Sequence, residues 1–378
     1  MGFQKLKLGF IGGGINSAVG EVHKIAAQMD GRFELVAGCF SQDSNINNET
    51  AEQWGVCKTR IYSNWCELLN SECGKIDAVV ILTPTPLHKD AIDTALDMNI
   101  PVICEKALVS SSHEASQIVQ KVNDTQGFLA VTYNYTGYPM IRELKEMLKN
   151  GTIGKIEQVH IEMPQEGFLR VGKNGEPITH QGWRMKDGSI PTLSLDLGVH
   201  LHHLVDFLTS EKPVEVVSRT NHYGTHHQVV DNTVCIINYT NNLLCNMWFS
   251  KSALGCRNGL KIRMFGDCGS LEWVQLNPEN LILNDNKGQT VIIDRSSAQV
   301  NVADLKKYNR FKPGHPSGFI EAFANYYYDV ADAITSYRGK RDPKSEYVFG
   351  ADLAYEGLKF LEAVEISAKS RTWSKVVF

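Results

Sequence analysis

A lysine that closes an apolar run is placed for chemistry, and Val102-Ile103-Cys104-Glu105-Lys106 is such a segment. In an open parallel sheet ligands bind outside the carboxyl ends of the strands, so a charged pair there faces the crevice. An ammonium at that point can hydrogen-bond a substrate oxygen and stabilise charge developing on it. The competing reading is a salt-bridged loop with a solvated lysine. A second constellation is Asp196-Leu197-Gly198-Val199-His200-Leu201-His202-His203, whose apolar spacing suits a helix. Positions three and four apart share a face, so Asp196, His200 and His203 are expected to point the same way. The carboxylate then fixes an imidazole's orientation and tautomer, and His200, with an ordinary pKa of ~6.5, suits removal of a hydroxyl proton. Two other readings stand beside this one: histidines lining a helix interface, and zinc held by His200, His202 and His203 with His222, His226 and His227. Adjacent histidines diverge on a helix and no cysteine or carboxylate pattern accompanies them, so no metal is expected.

The elements that must position these groups begin with Lys7-Leu8-Gly9-Phe10-Ile11, a short buried strand running into Gly12-Gly13-Gly14 and then Ile15, Asn16 and Ser17. A strand, a glycine turn and a helix over 18–29 make an anion site suited to a pyrophosphate. Ser17 stands where a third glycine is expected and Gly20 follows three residues later, a lengthened turn. The next strand, 33–38, ends in Cys39-Phe40-Ser41-Gln42-Asp43, with Phe40 at the place of the usual ribose-binding acid. Asp43 is the nearest carboxylate for that ribose. Ser41 could donate to a 2′-phosphate, but no arginine follows, which favours NAD over NADP. A strand over 77–82 stops at Thr83-Pro84-Thr85-Pro86, and His88 opens the helix beyond.

Strands and helices alternate up to about Tyr133, as in a doubly wound sheet, and then the rhythm changes. A helix over 141–148 and strands over 156–163, 214–220, 233–239, 243–249, 259–265 and 269–273 predict a largely antiparallel second sheet. Asn241-Asn242 and 267–269 are its expected hairpin turns. The segment 164–191 is glycine-rich and without period, a pocket rim on which Trp183 could stack on a sugar and Arg184 could donate to hydroxyls. Lys312-Pro313-Gly314-His315-Pro316 is a second loop with a candidate substrate histidine. Phe319, Phe323, Tyr326, Tyr327 and Val330 form a stripe read as core, and a last helix runs over 347–369. The expected division is 1–132, a Rossmann domain, and 133–378, an α+β domain with a large open sheet.

A chain of 378 residues with 43% hydrophobic and 21% charged residues is ordinary for globular domains. A net charge of −4 gives no basic surface for nucleic acid or an anionic membrane. There is no membrane-length apolar run and no signal-peptide core, and the nine scattered cysteines contain no C-x-x-C pair. A reducing cytoplasm is the expected setting.

In order and spacing the chain resembles the Gfo/Idh/MocA oxidoreductases. The resemblance rests on Leu8-Gly9-Phe10-Ile11-Gly12-Gly13-Gly14, Gly20-Glu21-Val22-His23, Thr83-Pro84-Thr85-Pro86-Leu87-His88 and Cys104-Glu105-Lys106. It continues through Gly182-Trp183-Arg184 and Asp196-Leu197-Gly198-Val199-His200. It implies a Rossmann domain followed by a sheet that carries substrate on one face and subunit contacts on the other, hence a homo-oligomer, dimeric, tetrameric or larger. It places Lys106 at the substrate hydroxyl, Glu105 beside the nicotinamide ribose, and Asp196 and His200 at the family's aspartate and histidine. The last helix is expected to pack back toward the Rossmann domain. Asn134 and Tyr135, within Tyr133-Asn134-Tyr135, fall at cofactor and substrate positions of a branch acting on sugars and cyclitols, some members at the 3-hydroxyl of a glucoside. Ala107 stands where a proline normally follows the lysine, so a trans bond is expected there, a non-proline cis bond costing about 2.5–4 kcal/mol.

The activity so implied is NAD-dependent hydride transfer at a secondary hydroxyl of a pyranose, glycoside or cyclitol. Two alternatives remain: a glycosidase that cycles bound NAD through a 3-keto intermediate, and a non-catalytic nucleotide or sugar sensor. Whether Lys106 or His200 takes the proton is open.

Overall fold

The computed structural model describes residues 4–178 and 180–378. Its first elements are β1 (Leu6–Gly12), α1 (Gly20–Met29), β2 (Phe33–Cys39), α2 (Ser44–Trp54), α3 (Trp65–Glu72), β3 (Ala78–Leu82), α4 (His88–Asp97), β4 (Val102–Cys104), α5 (Ser112–Thr125) and β5 (Leu129–Val131). Next come α6 (Pro139–Lys149), β6 (Ile156–Pro164), α7 (Val199–Thr209), β7 (Pro213–Asn221), β8 (Asn232–Tyr239), β9 (Leu244–Ser250), β10 (Lys261–Gly266) and β11 (Gly269–Val274). The chain ends with β12 (Leu281–Asp285), β13 (Thr290–Ile293), α8 (Phe319–Arg338), α9 (Ala351–Ser370) and β14 (Ser374–Lys375).

Two compact units result, Met1–Gly137 with Phe319–Tyr355, and Tyr138–Gly318 with Glu356–Phe378. The single boundary expected at 132 gives way to a first unit built from two stretches of chain. It is α8, not the whole last helix, that returns to this unit, and α9 is divided between the two. The reason lies in the α8 stripe: Phe323 packs 4.9 Å from the His23 ring and Tyr327 5.7 Å from Phe33, while Asp332 binds Arg32 at 2.6 Å.

The first unit holds a parallel sheet in the order β2-β1-β3-β4-β5. Its central strands are buried on both faces, which is why β3 reads as an unbroken apolar run. Strand order reverses between β1 and β3, and ligands of such sheets bind at the carboxyl ends there.

The second unit holds nine strands in the order β13-β12-β11-β10-β6-β9-β8-β7-β14. Neighbours are antiparallel except β6 and β9, which run parallel from Gln158 opposite Leu244. Val159, Ile161, Cys245, Met247 and Phe249 are buried on the inner face, whereas Val234 and Ile236 are 46% and 41% exposed on the other. The β8–β9 turn holds Asn241 and Asn242 at φ 55° and 62°, values asparagine tolerates better than most residues. β12, β13 and β14 escaped the sequence pattern because β12 buries only its first residue and shows no alternation, β13 is an edge strand with three of its four residues exposed, and β14 has only two residues. All nine cysteines are free. No helix among the described residues is long and apolar enough to cross a membrane.

Candidate functional site

In the first unit the candidate residues gather at the carboxyl ends of the parallel strands. Gly12 and Gly13 both have φ +77°, and a Cβ on Gly13 would lie 2.5 Å from Leu82 Cδ1. A Cβ on Gly20 would lie 1.8 Å from the Gly13 carbonyl oxygen, so the lengthened turn closes on α1 only because that residue is glycine. Gly14 donates its N–H to the Phe40 carbonyl at 3.1 Å, and Ile15 donates to Thr50 Oγ1 at 3.1 Å. Asn16 is exposed beside them. Ser17 Oγ accepts from the Val19 and Gly20 N–H groups, each at 3.3 Å, and so caps the helix start.

At the end of β2, Phe40 is buried with its ring 5.4 Å from Trp54, so a core aromatic fills the position of the usual acid. Asp43 caps α2, accepting from Asn45 N at 2.8 Å and Ile46 N at 3.2 Å, and its own N–H goes to Ser41 Oγ. Pro84 is exposed after β3. His88 is fully buried, with Nδ1 2.9 Å from the Leu108 carbonyl and Nε2 2.7 Å from the Thr83 carbonyl. It therefore braces two loops instead of presenting itself to a ligand, and burial lowers its pKa despite those carbonyls.

The Lys106–Ala107 peptide is cis, against the trans bond expected from the missing proline. Ala107, Leu108 and Val109 are buried and the His88 contact holds Leu108, so packing fixes the path that proline fixes elsewhere. Glu105 is buried between His23 Nε2, at 3.0 Å, and Thr132 Oγ1. Burial alone would raise its pKa, but the hydrogen bond and charge of His23, the Lys106 ammonium and Thr132 carry it below the ordinary value, so it is ionised.

Thr83 Oγ1 and Asn134 Nδ2 are buried without a hydrogen-bond partner among the described residues, an exception that asks for a ligand. Together with a glycine turn that admits backbone only, they fit a bound dinucleotide. Tyr135, by contrast, is buried with its ring 6.1 Å from Phe319, inside this unit.

In the second unit Asp196 lies in a π-helical turn, Ser194–Gly198, that leads into α7. That turn breaks the α-helical spacing on which a shared face for Asp196, His200 and His203 depended. Asp196 Oδ2 accepts from Lys251 Nζ at 2.5 Å and Arg184 Nη1 at 2.7 Å. Arg184 lies 4.5 Å over the Trp183 ring, and Gln181 Oε1 accepts from both Trp183 Nε1 and Arg184 Nε. Lys251, buried and 5.3 Å from the Phe168 ring centre, is a site residue that sequence did not reveal. His200 is buried in the first turn of α7. His202 stacks on Phe360 at 5.0 Å and His203 on Phe207 at 6.3 Å, both turned into the core. Burial brings the His202 pKa down to about 4 and that of His203 well below the usual range. His315 is exposed with its ring 4.6 Å from Phe311. Its loop is pinned by buried Arg295, which donates to Glu279 at 2.5 Å and to the His315 carbonyl at 2.9 Å.

Residues 6–133 match the model of an oxidoreductase family with an NAD-binding Rossmann fold, and residues 141–272 match the GFO/IDH/MocA C-terminal domain. The chain is 28% identical to the uncharacterized oxidoreductase YfiI of Bacillus subtilis, covering 94% of this chain and 93% of that protein. An oxidoreductase from Sinorhizobium meliloti superposes with a TM-score of 0.85 at 30% identity, over 98% of this chain and 99% of the other. An inositol dehydrogenase homolog from Azotobacter vinelandii, solved with NADH and myo-inositol, gives a TM-score of 0.89 at 27% identity over 98% of each chain.

Proposed function

This chain belongs to the Gfo/Idh/MocA family of NAD-binding oxidoreductases, and we propose that it oxidises a secondary hydroxyl of a pyranose, a glycoside, at C3 among other positions, or a cyclitol. The observation that carries this reading is the polar set of the second unit, in which Asp196 is clamped by Lys251 and Arg184 four residues before buried His200. A neutral polyol suits it, because the two cations are already committed to a carboxylate and Trp183 adds an aromatic face of the kind that stacks on sugars.

NAD, when bound, supplies the hydride acceptor. Gly12, Gly13, Gly14, Ile15 and Asn16 would hold its pyrophosphate, Ser41 and Asp43 its adenosine ribose, and Thr83, Glu105 and Asn134 its other half. His200 takes the proton of the substrate hydroxyl on a ring nitrogen. Lys106 donates to the same oxygen and stabilises the charge developing there, where a fixed cation shielded from water acts most strongly. Asp196 holds Lys251 and Arg184 in place, and Arg184, Trp183 and His315 bind the remaining hydroxyls. The outer face of the nine-stranded sheet carries contacts between copies of the chain, and the free cysteines suit a reducing cytoplasm.

The test is to mix the protein and NAD with glucosides, hexoses, inositols and nucleotide sugars while following reduced-nicotinamide fluorescence and product mass. A product two hydrogens lighter, formed with the fluorescent signal, supports the reading and names the substrate. Released aglycone without net signal would replace it with redox-cycled glycoside cleavage.

A further inference from the structure

One motif of the chain has no part in the roles given so far. His23, three residues past the glycine that closes the turn, is completely buried. Its Nδ1 lies 2.7 Å from Tyr327 Oη and its Nε2 3.0 Å from Glu105 Oε1, and Thr132 Oγ1 donates to that same carboxylate oxygen. Four elements thus converge on one carboxylate: α1 brings His23, α8 brings Tyr327, the end of β4 brings Glu105, and the end of β5 brings Thr132.

An ionised carboxylate only accepts, so His23 Nε2 carries the proton of that bond. On the far side of the ring Nδ1 is hydrogen-bonded to the Tyr327 hydroxyl, so the imidazole is held from both ends. The chain from Tyr327 through His23 thus ends on the carboxylate of Glu105, the residue before Lys106. The charged and titratable groups facing Glu105 are His23 from α1, Tyr326 and Tyr327 from α8, His88 from α4, and its neighbours Cys104 and Lys106.

We propose that His23 and Tyr327 are positioning residues for the dinucleotide: they hold Glu105 as an oriented anion at the carboxyl edge of the parallel sheet. Without His23 the carboxylate keeps a buried place but loses its main hydrogen-bond donor. Its protonated form becomes favoured, and a hydroxyl that donates replaces an oxygen that accepts. Leucine at position 23 removes the donor, whereas the glutamine amide can still reach Glu105 with an N–H.

The measurement is the NADH dissociation constant of the full chain, from nucleotide fluorescence, between pH ~5.5 and ~8.5. The unaltered protein and His23→Gln are expected to be flat, whereas His23→Leu weakens about tenfold for each pH unit below its raised Glu105 pKa. Difference infrared spectra should show the carbonyl stretch of a protonated acid in His23→Leu at low pH, absent from His23→Leu/Glu105→Gln. A melt at the upper pH checks folding, and Tyr327→Phe gives the same test at smaller amplitude where His23→Leu does not fold. A pH-independent loss of affinity shared by His23→Leu and His23→Gln, or no protonated-acid band, would overturn the proposal. It rests on NAD binding and not on the substrate, so a silent sugar panel and a flat pH profile are separate failures.

Discussion

Lys106 is the residue whose removal should separate binding from chemistry. Lys106→Ala is expected to lower kcat at least ~10²-fold, as loss of a donor to a developing oxyanion does, while the NADH dissociation constant stays near its original value. Stopped-flow reduction of NAD against NADH titration measures both, and retained turnover would remove the lysine from the mechanism. Lys251 should behave differently. It neutralises a largely buried carboxylate, so Lys251→Ala is expected to destabilise the protein by about 1–3 kcal/mol in urea denaturation and to raise KM. With Asp196→Asn the two losses should be less than additive, because both remove one interaction. As candidates, Lys106 stands out in the sequence because it ends an apolar run, and Asp196 and His200 because they lie four residues apart, although the π-helical turn at Asp196 departs from the α-helical spacing that drew attention to them. Lys251 was not, since nothing in a strand followed by a lysine signals an aspartate 55 positions away. The cis bond after Lys106 was misread for a related reason: the missing proline is visible in sequence, but the packing of Ala107, Leu108 and Val109 is not.

Among the elements, the turn between β1 and α1 is the most constrained by backbone shape. Gly20→Ala puts a methyl group against the Gly13 carbonyl, which is main chain and cannot rotate aside. The helix must move, and NAD affinity is expected to fall at least ~10-fold, measured by calorimetry; a small residue at an open site would have no such effect. The parallel sheet was readable from its uninterrupted apolar strands, and most of the second sheet from alternation. The pairing of β6 with β9 was not, because strand pattern reports which face is buried and not which strand lies alongside or in which direction. The π-helical turn at Ser194–Gly198 was equally silent, since its residues also suit an α-helix.

For the whole molecule, buried histidines set an acid limit. His202 titrates at about 4 in the fold and at ~6.5 when unfolded, so between these values the unfolded chain binds more protons. Stability therefore falls as pH drops through that window, by about 1.6 kcal/mol between pH ~6.5 and ~5 from this residue alone. His202→Leu should flatten the slope of the urea midpoint against pH. The contacts proposed for the outer sheet face carry a second expectation: by sedimentation the unaltered protein should have the mass of more than one chain and Ile236→Lys that of a monomer, whereas a monomeric unaltered protein would overturn the proposal and an unchanged larger mass would move the contacts off this face. The split first unit also has a bearing on synthesis. A ribosome releases residues 4–137 well before α8, and at ~5–20 residues per second the segment between them, with β6 to β13, takes on the order of ten seconds or more to follow. Throughout that interval His23 lacks Tyr327 and Arg32 lacks Asp332, so the nascent nucleotide unit waits, incomplete and with apolar surface uncovered, for a helix encoded about 180 residues further on.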